Sequence, residues 1–374
     1  MSTIQADSAV STSSGRVFPF HRFVGTHREI GRQYGGACKA LIHRHLDKVL
    51  KRLETKPGLS REQALVKAMN YRPWVQRQAQ FFDEEIQGVA EGAGITLAEA
   101  YLLQLRAEAA APIDPRGIDG PDECTSFAVQ PEATSNGIGL VGQNADLPAF
   151  YGEIAVVAEI VPDDMPAILM VLPAGQVSYI GINDRGMGVF ANFVTCDGWR
   201  MGLPRYMLSR LALTSETVDD AIALVRGVRR ASSRNLIMLD GNGNAADLET
   251  TPYEDARLDP EEGLLAHSNH YVADSLLHEE RSPEKNVANS TVRLRQMREL
   301  LRARCGELDA DMMREILRDR ACYPDTLCRA PGDDPDSDVI TFASVIAEPS
   351  AGRMHVAVGP PHENEYVTHQ FSGS

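Results

Sequence analysis

The spacing of apolar residues changes character at Pro112, and that change limits the architectures open to the chain more than any other feature. Before it, Ile30, Tyr34, Ala37, Leu41, Leu46, Val49 and Leu53 recur at helical intervals, in a helix opened by Thr26 or His27 and closed by Pro57-Gly58. Ser60 with Gln63 is a capping-box signal for a second helix ending before Pro73, and Pro73 suits the first turn of a third that runs to Gly92 or Gly94. A fourth covers residues 96–111, with Leu97, Tyr101, Leu102 and Leu105 on one side. Apart from a short strand at 17–24 and a Ser/Thr/Ala-rich tail at 1–16, expected to be disordered, the first third is therefore helical.

Pro, Asp and Gly then fill residues 112–122, and from Cys124 onward the apolar period shortens to two or to unbroken β-branched runs. Strands are expected at 125–130, 139–143, 154–161, 167–172, 177–182, 187–194, 235–239, 245–249, 263–268, 340–347 and 354–358. Asn183-Asp184-Arg185-Gly186 and Asp240-Gly241-Asn242-Gly243 supply hairpin turns. Helical patterns at 204–213, 215–227, 290–305 and 309–319 come in pairs between clusters of strands, which is not a βαβ repeat. The order fits an α+β layered sandwich, antiparallel sheets with helices on their outer faces. The one loose linker in the second part is 330–338.

Acids outnumber bases 52 to 37, for a net charge of −15, which argues against a general nucleic-acid binder. No stretch is apolar for about 18 residues, as a membrane span requires, and the tail lacks the charged start and apolar stretch of a secretory signal. A cytoplasmic enzyme is expected. Six cysteines without CxxC pairing, Cys38, Cys124, Cys196, Cys305, Cys322 and Cys328, read as free thiols in such a compartment.

Cys124 differs from the other five in its context. It stands at a loop-to-strand junction, Glu123-Cys124-Thr125-Ser126-Phe127, and a turn at Ser135-Asn136-Gly137 leads back to Gly142-Gln143-Asn144-Ala145-Asp146. A hairpin of that length returns Asp146 beside Cys124. A cysteine inside a chain has no base next to it. Were the Glu123-Cys124 bond cut, the residue would own a thiol and a free α-amine whose ordinary pKa of about 7.7–8.0 lets it take the thiol proton near neutrality.

These segments resemble the penicillin acyltransferase family, the self-cleaving acyl-coenzyme A:6-aminopenicillanate acyltransferases and their hydrolase relatives, and more distantly the conjugated bile salt hydrolases. The resemblance also rests on Gly25-Thr26, Glu29-Ile30-Gly31, Tyr34-Gly35, Arg106, Glu108, Gly181-Ile182-Asn183, Ala191-Asn192-Phe193, Gly202-Leu203-Pro204, Arg234-Asn235-Leu236, His267-Ser268-Asn269-His270, Ser290 to Arg293 and Ala343-Ser344-Val345-Ile346. It implies a four-layer αββα fold of the N-terminal-nucleophile hydrolases. It also implies autocleavage between Glu123 and Cys124 into a helical α chain (17–123) and a β chain (124–374) that together form one domain. Cys124 matches the family's nucleophile, Asp146 the aspartate that holds its amine, Asn192 and Asn269 the two oxyanion amides, and Arg293 lies in a Ser-x-x-Arg segment as a substrate-binding candidate. Glu123 stands where glycine is common in such enzymes, which bears on the efficiency of cleavage.

The implied substrate is a small linear amide, with water, an amine or an acyl-coenzyme A donor as partner to a thioester on Cys124. No cofactor is implied, and assembly into a homo-oligomer is left open. Other readings stay open at this level. Asp146 before Leu147-Pro148 is equally a turn residue, and Asn269 a strand-end one. His267-x-x-His270 lacks a third ligand at zinc spacing, and Asp247 with Glu249 form a carboxylate pair without a named partner. The whole chain reads alternatively as a non-catalytic binding protein, or as a papain-like thiol enzyme using Cys124 with His267 or His270.

Overall fold

The computed structural model describes residues 16–55, 58–105, 107–110 and 123–373; most of the tail, Pro57, Arg106 and the 112–122 stretch lie outside them. Strand β1 (Phe20–Gly25) leads into α1 (His27–Ala37), α2 (Lys39–Thr55), α3 (Arg61–Met69), α4 (Arg72–Gln78), α5 (Gln80–Ala93), α6 (Leu97–Leu102) and α7 (Ala107–Ala110). Reciprocal capping boxes, Thr26 with Glu29, Ser60 with Gln63 and Thr96 with Glu99, start α1, α3 and α6 by filling backbone N–H groups that have no partner inside the helix. Three expected helices are each divided, the fourth, 96–111, into α6 and α7. The first breaks at Cys38, because α1 presents a glycine face and α2 an aliphatic one of Ile42, Leu46, Val49 and Leu53, and the two bury against different partners. The third breaks at Ala79, whose φ of −159° is extended.

The remaining elements are β2 (Glu123–Val129), β3 (Leu140–Pro148), α8 (Tyr151–Ile154), β4 (Ala155–Pro162), β5 (Ile168–Pro173), β6 (Ile180–Asn183), β7 (Gly188–Asn192), α9 (Arg205–Ala212), α10 (Val218–Gly227), β8 (Arg234–Leu239), β9 (Ala245–Thr250), β10 (Asp255–Leu258), β11 (Leu264–His267), α11 (Glu284–Ala303), α12 (Ala310–Leu317), β12 (Val339–Glu348), β13 (Arg353–Val358) and β14 (Val367–Gln370). They form an eight-stranded sheet in the order β1-β4-β5-β6-β7-β8-β9-β10 and a six-stranded sheet in the order β11-β2-β3-β12-β13-β14.

The sheets face each other through β2 and β3 against β7 and β8. Helices α1, α9 and α10 cover the outer face of the larger sheet, and α11 and α12 that of the smaller, so the layers run αββα. Pairing is antiparallel except for β1 on β4, which is parallel. A crossover through all the helices of the first third joins these two strands, so no tight turn forces them antiparallel. No helix among the described residues is long and apolar enough to cross a membrane.

Candidate active site

Cys124 is the second residue of β2, 3% exposed, and its main chain is held on both sides by buried side chains. Its N–H donates to Asn269 Oδ1 at 2.6 Å. Its carbonyl oxygen accepts from Asn192 Nδ2 at 2.9 Å, Arg293 Nη1 at 2.9 Å and Ser268 Oγ at 3.3 Å. The groups that hold it arrive from three elements: Asn192 ends β7 in the opposite sheet, Arg293 points from α11, and Ser268 and Asn269 follow β11.

Asn192 joins the two sheets at this end, since its Oδ1 accepts from Ser126 Oγ at 2.5 Å and from Asn235 Nδ2 at 3.3 Å. Arg293 also donates to Thr125 Oγ1 at 2.9 Å and Asn269 Oδ1 at 3.1 Å, and Asn289 fixes its Nε at 2.8 Å. Burial lowers the pKa of this guanidinium, and Asp146 and Cys124 pull it back up. The group is nonetheless a cation at any working pH.

Asp146 lies where the hairpin argument puts it. The register pairs Glu123 with Asp146 and Cys124 with Ala145. It is not a turn residue: β3 continues through it to Pro148, farther than the apolar run alone indicated, because β12 pairs along its other edge. Its Oδ1 accepts from Thr341 Oγ1 at 2.7 Å, while Oδ2 is buried without a hydrogen-bond partner among the described residues. Burial lifts this carboxyl to about 7 against the opposing pull of Arg293 and the Thr341 hydroxyl.

Asn269 takes a different posture from Asn192. A backbone N–H requires an acceptor, so Asn269 turns its oxygen toward Cys124 and its NH2 toward Phe193 O, 3.0 Å away. Ser290 Oγ accepts from the Asn269 backbone at 2.6 Å and sits the same distance from His270 Nδ1. Of the two asparagines only Asn192 therefore donates its amide to Cys124. The supporting hydroxyls of Ser268, Thr125 and Thr341 carry no spacing signal that would single them out in the sequence.

The histidines have other partners. His267 Nδ1 lies 2.7 Å from Ser268 O and Nε2 2.8 Å from Glu249 Oε1, so both ring nitrogens are engaged away from the thiol. Burial alone would lower its pKa, yet Asp247 and Glu249 together hold it above the ordinary value. Burial, with His267 and Arg293 adding to it, takes His270 down to about 4. Neither has the environment of a general base poised near neutrality. Glu249 is filled by His267 and by the Val272 and Ala273 amides, which makes it a buried structural acceptor. Among the described residues, the one set of metal-ligating types close enough to share an ion is Glu254, His278 and Glu279, which has no residue in common with this cluster.

Residues 133–363 match the family model described as acyl-coenzyme A:6-aminopenicillanic acid acyl-transferase, more than half of the chain, in a span that begins past Cys124. The 40 kDa form of acyl-coenzyme A:6-aminopenicillanic-acid-acyltransferase from Emericella nidulans is 28% identical over 311 residues, 82% of this chain and 83% of that protein. Among solved structures, a variant of conjugated bile acid hydrolase from Clostridium perfringens is 13% identical with a TM-score of 0.45, covering 67% of this chain and 98% of that one. Penicillin V acylase from Agrobacterium tumefaciens is 11% identical with a TM-score of 0.44, covering 63% and 83%.

Proposed function

Because the chain belongs to the acyl-coenzyme A:6-aminopenicillanic acid acyl-transferase family, we propose that it is a self-processing enzyme that cuts itself between Glu123 and Cys124. Cys124 then opens a small linear amide and passes the acyl group to water or an amine. The observation that carries this reading is the grip on the Cys124 main chain by Asn269, Asn192 and Arg293, with Asp146 paired opposite Glu123. A small apolar thiol filling a core needs no such set of buried polar side chains.

In maturation the thiol attacks the Glu123 carbonyl carbon, and the tetrahedral adduct collapses to a thioester as the Cys124 nitrogen leaves as an amine. Water then hydrolyses the thioester to a Glu123 carboxylate and a free thiol. The new amine keeps Asn269 Oδ1 as an acceptor, and Asp146, paired opposite Glu123 in the register, offers its carboxylate as a second. Arg293 donates to the same Asn269 oxygen, and a like charge so close favours the neutral amine, which is the form able to act as base. The same cation favours the thiolate.

In turnover the thiolate attacks the substrate carbonyl, and Asn192 is the amide best placed to donate to the developing oxyanion. The departing amine takes the proton held by the Cys124 amine, leaving an acyl thioester. A coenzyme A thioester as acyl donor enters through the name of the Emericella relative. The test is to quench the protein during turnover of an N-acyl amine in acid and digest it. The expected result is a peptide starting at Cys124 heavier by the acyl mass; acylation elsewhere, or turnover by Cys124→Ala, would remove the assignment.

A further inference from the structure

Arg234 opens β8 and is 2% exposed, yet its Nε and Nη2 are buried with no hydrogen-bond partner among the described residues. Other buried arginines also leave a nitrogen unfilled, as Arg210 does at Nε, but each of those named next has a carboxylate or carbonyl acceptor on its guanidinium. Arg210 grips Glu85 with two bonds of 2.6 and 2.7 Å, Arg230 donates to the Thr251, Val225 and Glu254 carbonyls, and Arg293 is held as described. A guanidinium stays charged and offers five donors, so an unfilled one in the interior is a penalty that folding alone gives no reason to keep.

Its surroundings belong to the Cys124 end of the sandwich. The Arg234 guanidinium carbon lies 4.7 Å from the Tyr206 ring, over which Arg205 also lies at 5.1 Å, and the next residue, Asn235, donates to Asn192 at 3.3 Å. Arg205 lies 4.0 Å over Phe193, the residue whose carbonyl holds Asn269, and 5.9 Å from the Trp199 ring. Glu108 balances Arg205 at 3.9 Å, with its Oε1 taken by the Arg205 N–H and Ser232 Oγ. Among the described residues no carboxylate does the same for Arg234.

We propose that Arg234 anchors a carboxylate on the substrate, so that the amide opened at Cys124 carries an acid group beside an apolar portion packed on Phe193, Trp199 and Tyr206. This rests on the nucleophile reading above. A carboxylate accepts two parallel bonds from a guanidinium, and Arg205 adds a second positive charge beside it. A neutral amide would leave the fork unfilled.

The test uses matched acids and neutral isosteres. Millimolar phenylacetate should raise the melting temperature of the wild-type protein while phenylacetamide does not. Arg234→Met should melt no lower than wild type without ligand and should lose that distinction; Arg234→Lys, which keeps the charge without the fork, should fall between them. Turnover of N-phenylacetylglycine against N-phenylacetylglycinamide, and of glutaranilic acid against its primary amide, locates the carboxylate on the amine or the acyl side. A preference for the acid in either pair of about 10–100-fold in kcat/KM, lost in Arg234→Met, is the expected result.

The proposal is overturned if wild type treats acids and isosteres alike, if Arg234→Met keeps the preference, or if Arg234→Met melts well below wild type. Alkylation of Cys124 by iodoacetamide separates the two readings. An unreactive Cys124 with an intact Arg234-dependent acid preference removes the nucleophile and keeps the anchor. A Cys124 that acylates without acid preference does the reverse.

Discussion

At the scale of the residue, the two asparagines differ in what they present to Cys124, and their substitutions should differ in kind. Asn192 gives an N–H, so Asn192→Ala should lower kcat by about 10²–10³ with little change in KM, the loss of one oxyanion donor. Asn269 gives an oxygen to the nitrogen that becomes the amine, so Asn269→Ala should chiefly displace the acid limb of the pH–kcat/KM profile and slow maturation. Identical profiles for the two variants would refute this division.

Asp146 gives a pH prediction of definite sign. Its folded pKa of about 7 lies above the ordinary 3.8, so its contribution to stability is fully present below about 3.8 and is lost as pH rises through about 7. Asp247, raised by burial to about 6, acts in the same direction. In a Cys124→Ala background held uncleaved, Asp146→Asn should match its parent in melting temperature at pH 4 and exceed it at pH 8; a lower value at pH 8 would mean that the carboxylate is already paired. Cys124, with its junction and hairpin, drew notice from the residues themselves, whereas Asn192, Asn269 and Arg293 were named only through the family resemblance, which also singled out Asp146. The posture of Asn269 was legible in neither way, because which end of an amide faces a neighbour depends on a partner 145 positions away.

At the scale of the element, the glycines of the first third explain a motif the sequence only displayed. Helices α1 and α5 meet backbone to backbone: a Cβ at Gly31 would fall 2.0 Å from Glu85 O, and one at Gly88 2.2 Å from Arg28 O. Gly88→Ala should therefore destabilise by about 1–3 kcal/mol through overpacking, although alanine is the better helix former. Denaturant titration checks it, and a stabilised variant would contradict the packing. Periodicity located most of the elements but missed β10 and β14, which lie at opposite edges of the two sheets and are largely half-exposed, so neither shows a sustained apolar alternation. The helix break at Ala79 was equally hidden, since no Gly or Pro stands beside it, and Gly35, in the Gly35-Gly36 pair before Cys38, is used for close packing on α5.

At the scale of the whole molecule, the residues on either side of Cys124 are not separable units. β1 completes the larger sheet against β4, Tyr34 Oη accepts from Gly175 N at 2.8 Å, Gln104 bonds Gly175 O and Val177 N, and Glu85 of α5 pairs with Arg210 of α9 in the interior. The layered class was legible from the order of helices and strands. The parallel β1–β4 pairing was not, because a crossover of that length carries no local signal of strand direction. Cleavage before Cys124 would thus leave two chains sharing one core, held together until the core unfolds.

Intact mass under denaturing conditions, on protein that elutes as a single native species, tests the central claim most directly. Wild type should resolve into two chains of 123 and 251 residues, the larger beginning Cys-Thr-Ser-Phe, while Cys124→Ala should remain one chain of 374. A single full-length wild-type chain that turns over an amide would contradict the account.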